Sequence, residues 1–143
     1  MKLIDILLVE DNEGDIVLTT EALQEGKIAN RISVVKDGME ALEFLEKKGD
    51  YKDAVTPDLV LLDINLPKMN GHEVLKEIKS IGHLRHLPVI ILSTSTSQED
   101  VMNSYKNYAN CYITKPVDAN DFLKVVSSIE DFWISVVQLP KKD

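Results

Sequence analysis

Glu10 and Asp11 follow the apolar run Ile6 to Val9, Asp63 follows Leu59 to Leu62, Ser93 follows Val89 to Leu92, and Lys115, then Pro116, follows Cys111 to Thr114. Brought to one rim, these residues set three carboxylates beside one ammonium and one hydroxyl. Two like charges about 4 Å apart repel by roughly 4 kcal/mol at an effective dielectric of about 20, so three clustered carboxylates require a cation or a shared proton. Mg2+ suits them, since it takes oxygen ligands in octahedral geometry and is commonly held by one or two carboxylates together with a phosphate oxygen. In such a site Asp63 is a candidate nucleophile. Its carboxylate would attack phosphorus to give an aspartyl-phosphate, with Lys115 and Ser93 neutralising and hydrogen-bonding the transferred oxygens. A single acid at a strand end more often caps a helix or solvates a turn; here the weight lies on the conjunction.

These residues meet only if the apolar runs are parallel strands. Each run is rich in Val, Ile and Leu, as strands buried on both faces require, and each is followed by a helical period. Strands are expected near Leu3 to Val9, Arg31 to Lys36, Leu59 to Leu62, Val89 to Leu92 and Cys111 to Thr114. Helices are expected from Asp15 to Glu25, Met39 to Lys48, His72 to Ser80, Ser97 to Tyr108, and Ala119 into the Trp133 region. Thr96 with Glu99 three residues on reads as a capping box, and Asp118 as the cap of the last helix. Strict alternation predicts an α/β fold, a doubly wound five-stranded parallel sheet with helices on both faces. Function in such sheets lies at the carboxyl ends of the strands.

The chain has 143 residues and a net charge of −8, with no cluster of Lys or Arg, which argues against direct binding to nucleic acid. Its apolar runs are far shorter than the roughly 20 residues of a membrane span. One cysteine can form no internal disulfide and no cysteine-based zinc site, so a reducing, cytoplasmic setting is expected. Cys111 itself reads as a small core residue, and His72, His83 and His86 as surface or loop residues. With no linker and no second composition regime, residues 1–143 read as a single domain, with 130–143 an extension of the last helix and a tail. Phe122, Val125, Val126, Ile129, Phe132, Trp133, Val136 and Val137 fall at spacings of three and four. That stripe is longer than one small sheet needs: either its last third folds back onto the domain, or it forms a homodimer contact through the last helix with Trp133 as an anchor, the reading favoured here.

Over nearly the whole chain the pattern resembles the receiver domain of two-component response regulators. The resemblance is carried by Glu10-Asp11, by Asp63 with Pro67 and Gly71 after it, by Ser93, and by Tyr112 with Lys115-Pro116. It implies a flavodoxin-like strand order of 2-1-3-4-5, one of the common orders of doubly wound sheets. It also implies that Asp63 accepts phosphate from a sensor histidine kinase, and that Mg2+ is surrounded by Glu10, Asp11, Asp63 and the backbone carbonyl of Asn65. Ser93 and Lys115 would bind the phosphoryl group, Tyr112 would act as a switch aromatic, and the Lys115-Pro116 bond would be cis. The responding surface would comprise the fourth helix, fifth strand and fifth helix, and a downstream phosphotransfer or effector protein would read it.

Within that family, Ala109-Asn110-Cys111-Tyr112-Ile113-Thr114-Lys115-Pro116-Val117-Asp118 and Ile129-Glu130-Asp131-Phe132-Trp133 look like the stand-alone receivers that partner phytochrome-type histidine kinases. Related receivers serve kinases with other sensors, so light sensing does not follow. Thr94 departs from the Ala or Gly frequent after the hydroxyl residue, and it is expected to narrow access to Asp63 for small phosphodonors. Three other functions compete with a phosphoacceptor regulator. A Mg-dependent phosphatase with an Asp nucleophile would need a general acid two residues on, where Asn65 stands. A flavin domain of similar fold would need a Gly-containing phosphate loop after the first strand, where Glu10 and Asp11 would repel phosphate. A phosphate-independent adaptor would leave the acid, hydroxyl and lysine set without a task.

Overall fold

The computed structural model describes residues 3–25, 29–136 and 138–140. Strands β1 (Ile4–Val9), β2 (Asn30–Val35), β3 (Leu59–Leu62), β4 (Val89–Ser93) and β5 (Cys111–Thr114) form one parallel sheet in the order β2-β1-β3-β4-β5. Helices α1 (Glu13–Gln24), α2 (Gly38–Glu46), α3 (Gly71–Ser80), α4 (Gln98–Lys106) and α5 (Ala119–Ile129) connect them. The pleat explains why the strands read as unbroken apolar runs. Leu7, Val9, Val60, Leu62, Val89 and Ile91 face a core closed by α2 and α3 through Ala41, Phe44, Val74, Leu75 and Ile78. Their neighbours Ile6, Leu8, Leu59, Leu61, Ile90 and Leu92 face the opposite core, closed by α1 and α5 through Leu23, Phe122, Val126 and Ile129. Successive side chains alternate between faces, so covering both faces demands apolar residues at every position.

Caps fix where the helices begin. Asn12, Asp37, Asn70 and Asp118 each accept a backbone N–H of the following turn, and Asn70 with Glu73 completes a capping box. Asp118 therefore acts as expected. The Thr96–Glu99 box does not form: Ser97 is the cap, accepting from the Asp100 N–H, and α4 starts one turn-position later than the sequence pattern placed it. Both residues offer a hydroxyl, but Ser97 is the one whose extended backbone immediately precedes the first helical residue. Helix α4 is unusual in burying only Ser104, while Met102 and Tyr105 are exposed.

The last helix also departs from expectation. After Ile129 the α-helical register gives way to a π-helical stretch over Glu130–Val136, which shifts the stripe predicted from three-and-four spacing. Trp133 is half-buried against the α1–α5 core and meets Phe132 edge-on at 5.9 Å, while Phe132 stays exposed. Val137, residues 141–143 and the Val136 side chain lie outside what is described. No helix among the described residues is long and apolar enough to cross a membrane.

Gly71 has a direct bearing on the site. A Cβ there would lie 2.3 Å from the carbonyl oxygen of Asp63 and 2.6 Å from the Cα of Ile64, and the Gly71 N–H donates to the Ile64 carbonyl at 2.8 Å. The absence of a side chain lets the start of α3 press against the loop that carries Asp63.

Candidate functional site

The parallel sheet brings the strand-end residues to one edge. Glu10 follows β1, Asp63 follows β3, Ser93 ends β4 and Lys115 follows β5. Backbone bonds continue the ladders into the site: Glu10 N–H to Val35 O, Asp63 N–H to Val9 O at 3.1 Å, and Lys115 N–H to Ser93 O at 2.7 Å. At the centre is the Lys115 ammonium, its side chain 3% exposed. It donates to the Glu10 carboxylate, to Asp15 Oδ2 at 2.9 Å and to Asp63 Oδ2 at 3.1 Å. The second Glu10 oxygen accepts the N–H groups of Asp11 and Asn12 at the start of α1. Asp63 Oδ1 accepts from Ile64 N–H at 2.7 Å and from Asn65 N–H at 3.4 Å. Asp11 is exposed at the mouth, and Ser93 is fully buried.

Burial decides the electrostatics. Loss of solvent, reinforced by the neighbouring Asp63 charge and opposed by Lys115, pushes Glu10 up to about 7. For Lys115, burial alone would favour the neutral amine, but the hydrogen bonds it donates to Glu10 and Asp15 and the Asp63 charge outweigh it and hold the ammonium charged well beyond its usual range. Glu10, Asp11 and Asp63 each bring an oxygen into a group whose members all lie within 4.8 Å of one another. Opposed ligands of an octahedral ion with bonds of about 2.1 Å stand roughly 4.2 Å apart, so the spacing and the hard, all-oxygen character of this donor set fit a small divalent ion such as Mg2+.

Around the acids, the β4–α4 loop is tied by side chains. Ser95 N–H donates to Ser93 Oγ at 3.3 Å, Ser95 Oγ donates to Asp100 Oδ2 at 2.5 Å, and His72 Nε2 meets Asp100 Oδ1 at 3.0 Å. The Ser95 and His72 hydrogen bonds hold Asp100 below the usual carboxylate range. Tyr112 leans over this loop, its hydroxyl donating to the Ser95 carbonyl at 2.8 Å. Thr94 is exposed.

The sequence pattern thus places Glu10, Asp11, Asp63, Ser93 and Lys115 at one edge, with Asn65 in the adjoining loop and Tyr112 on the neighbouring strand. It misses Asp15, whose only signal was an acid in the first turn after the capping Asn12. It also misreads His72, which joins α3 to α4 instead of lying free on the surface, whereas His83 and His86 are exposed. Cys111 is half-buried, with its thiol pushed up by burial and the Trp133 indole opposing. The Lys115-Pro116 bond is trans, contrary to the expectation; no described peptide bond is cis, and trans is the intrinsically lower form even before proline.

Fold and site together define a flavodoxin-like domain with an acidic, lysine-centred cluster at the carboxyl edge of its sheet. Residues 6–127 match the response regulator receiver domain, and the chain belongs to that family of two-component signalling domains. It is 44% identical over 135 residues to the response regulator Rcp1 of Synechocystis sp., covering 94% of this chain and 92% of that protein. A probable methanogenesis regulatory protein, FilR2 of Methanothrix harundinacea, is 40% identical over 90% of this chain and 83% of its own. Among solved structures, the phosphorylated cyanobacterial phytochrome response regulator RcpA superposes with a TM-score of 0.96 at 46% identity, over 98% of this chain and all of that one. The Mn2+-bound form of Rcp1 superposes with a TM-score of 0.93 at 43% identity, over 96% and 99%. The chain is a receiver closely related to phytochrome response regulators.

Proposed function

We propose that the protein is a single-domain response regulator, residues 1–143 acting as one receiver, that takes a phosphoryl group on Asp63 from a sensor histidine kinase. The observation that carries this is the position of Asp63, one oxygen on Lys115 and its carboxylate within the Glu10–Asp11 cluster. A carboxylate oxygen of Asp63 bonds to phosphorus as the phosphorus–nitrogen bond of the donor phosphohistidine breaks, and the imidazole leaves with the electron pair. Glu10, Asp11, Asp63 and the Asn65 carbonyl would hold Mg2+, which supplies charge neutralisation to the transferred oxygens. Lys115 neutralises a second oxygen and Ser93 donates its hydroxyl to a third. Intact mass after incubation with Mg2+ and acetyl phosphate, with and without EDTA, tests this reading: a metal-dependent gain of one phosphoryl group is expected.

Engaging the phosphoryl group draws Ser93 from its bond with Ser95, and Ser95 is also bonded to Asp100 and Tyr112. The signal therefore leaves through α4, β5 and α5. That face exposes Met102, Tyr105, Val117 and Phe132, and beside it Ile113, Val125, Ile129, Phe132 and Trp133 line an apolar groove of about 350 Å³. We assign to it a homodimer contact through α5 and its extension, alongside contacts with an effector or downstream phosphotransfer protein. Light scattering over a range of concentrations, before and after phosphorylation, should show the dimer, and Phe132→Glu should abolish it. A chain monomeric in both states at high concentration would sink this part of the proposal.

The similarity to phytochrome response regulators makes a phytochrome-type kinase the favoured partner, acting in the cytoplasm. The similarity to FilR2 keeps the stimulus open to other sensors. Binding of Mg2+ carries its own pH signature. Glu10 holds a proton below about pH 7, and a metal ligand must release it. Mg2+ affinity should therefore fall by up to about tenfold per pH unit below 7 and level off above it, with proton release measurable by calorimetry in buffers of different ionisation enthalpy. A flat profile from pH 5.5 to 8 would refute the assignment of Glu10 as a ligand.

A further inference from the structure

Three acids meet the Lys115 ammonium, but they are not equivalent. Glu10 and Asp63 belong to the group of carboxylates gathered within 4.8 Å; Asp15 does not. Asp15 stands in the first turn of α1, its backbone N–H bonded to the capping side chain of Asn12 at 2.9 Å, and its own carboxylate is 2.9 Å from Lys115 Nζ. An ammonium has three donors, and here all three find a carboxylate. On the reading of Asp63 as phosphoacceptor, two of those carboxylates change their work during the reaction: Asp63 becomes an acyl phosphate, and Glu10 turns to the metal. Only Asp15 keeps the same task throughout.

We infer that Asp15 is a positioning residue for Lys115, holding the ammonium where the phosphoryl oxygen arrives. The inference rests on the phosphoacceptor reading and extends it to a residue outside the acid cluster. A lysine stem released from its partners regains rotamer freedom that must be lost again on capturing the phosphoryl group. The Asn12 cap and the first turn of α1 fix Asp15, and through it the lysine, in advance. At 24% side-chain exposure, Asp15 remains partly in water, so its repulsion of the incoming anion is screened more than that of the buried acids.

The opposite role is also physically definite: Asp15 as a competitor that must surrender Lys115. Fluoroberyllate, a phosphoryl analogue, separates the two. Its affinity is measured by calorimetry at saturating Mg2+ for the wild type, Asp15→Asn, Asp15→Ala and Asp15→Glu, with Mg2+ affinity measured separately. Losing the anionic partner of the lysine (Asn) or the whole contact (Ala) should weaken fluoroberyllate about tenfold in both variants. Mg2+ affinity should move much less, and the Glu variant should recover part of the loss. A purely structural role in α1 would lower the melting temperature without this split between ligands. Unchanged or tighter fluoroberyllate binding in both Asn and Ala variants overturns the positioning role while leaving Asp63 as acceptor. Failure of the wild type to bind the analogue overturns the acceptor reading and this inference with it.

Discussion

Replacing Asp63 with asparagine is expected to abolish the mass gain of one phosphoryl group that the wild type shows with Mg2+ and acetyl phosphate. The amide is close in shape to the carboxylate and can still accept the Ile64 N–H that Asp63 Oδ1 holds at 2.7 Å, so the loop and Gly71 behind it stay in place. What is lost is the anionic nucleophile. The variant also carries an internal check. The Asp63 charge contributes to raising Glu10, so in Asp63→Asn the Glu10 carboxyl should titrate below its wild-type value, observable by NMR. A label that survives in the variant would move the acceptor to another residue. If acetyl phosphate fails even on the wild type, Thr94 at the mouth is the first suspect, and a panel of purified histidine kinases replaces the small donor. No label from any kinase would favour the phosphate-independent adaptor.

Lys115→Met should lower stability by about 3 kcal/mol at pH 8 in EDTA, a fall of roughly 10 °C in Tm, because the cation that Glu10, Asp15 and Asp63 share is removed from a buried site. Methionine fills most of the lysine stem's volume, so the loss reports charge and not a cavity. The deficit should depend on pH in a fixed sense. With its counter-charge gone, Glu10 holds its proton to higher pH than in the wild type, while in the unfolded chain it titrates near 4.5. Between those values the folded state binds more protons than the unfolded one, so the variant loses stability as pH rises and regains much of it towards pH 6. Mg2+ should restore part of the deficit at pH 8 by binding the folded state alone. A deficit independent of both pH and Mg2+ would mean that packing, not charge, is what Lys115 contributes.

Much of the site was legible because it sits at strand ends, where short apolar runs mark the sheet edge to within a residue. Leu59–Leu62 and Cys111–Thr114 match the expected strands fully, and Ser93 differs only in closing β4 instead of following it. The remainder depends on contacts between elements distant in sequence. Nothing local distinguishes Asp15 from any acid in a helical first turn until β5 brings Lys115 beside it. His72 looks like a solvated helix residue until α4 presents Asp100. In the Thr96-Ser97 pair, two hydroxyl residues compete for one cap, and backbone conformation decides. Similarly, three-and-four spacing continues through Ile129 and beyond, but spacing cannot reveal that the helix changes register at Glu130.

Helix α4 buries a single residue, Ser104, and is fastened through the cap Ser97, the Asp100 contacts and the neighbouring Tyr112. Heat-capacity changes in proteins come mainly from apolar surface gained or lost to water. Moving this helix therefore uncovers little such surface and carries a small heat-capacity change. An equilibrium of this helix between positions would follow a nearly straight van't Hoff line, without the curvature that hydrophobic contacts impose on the stability of the domain as a whole. On the proposed phosphoacceptor reading, the temperature dependence of the switch is then set by one nearly constant enthalpy, even where the stability of the core curves with temperature.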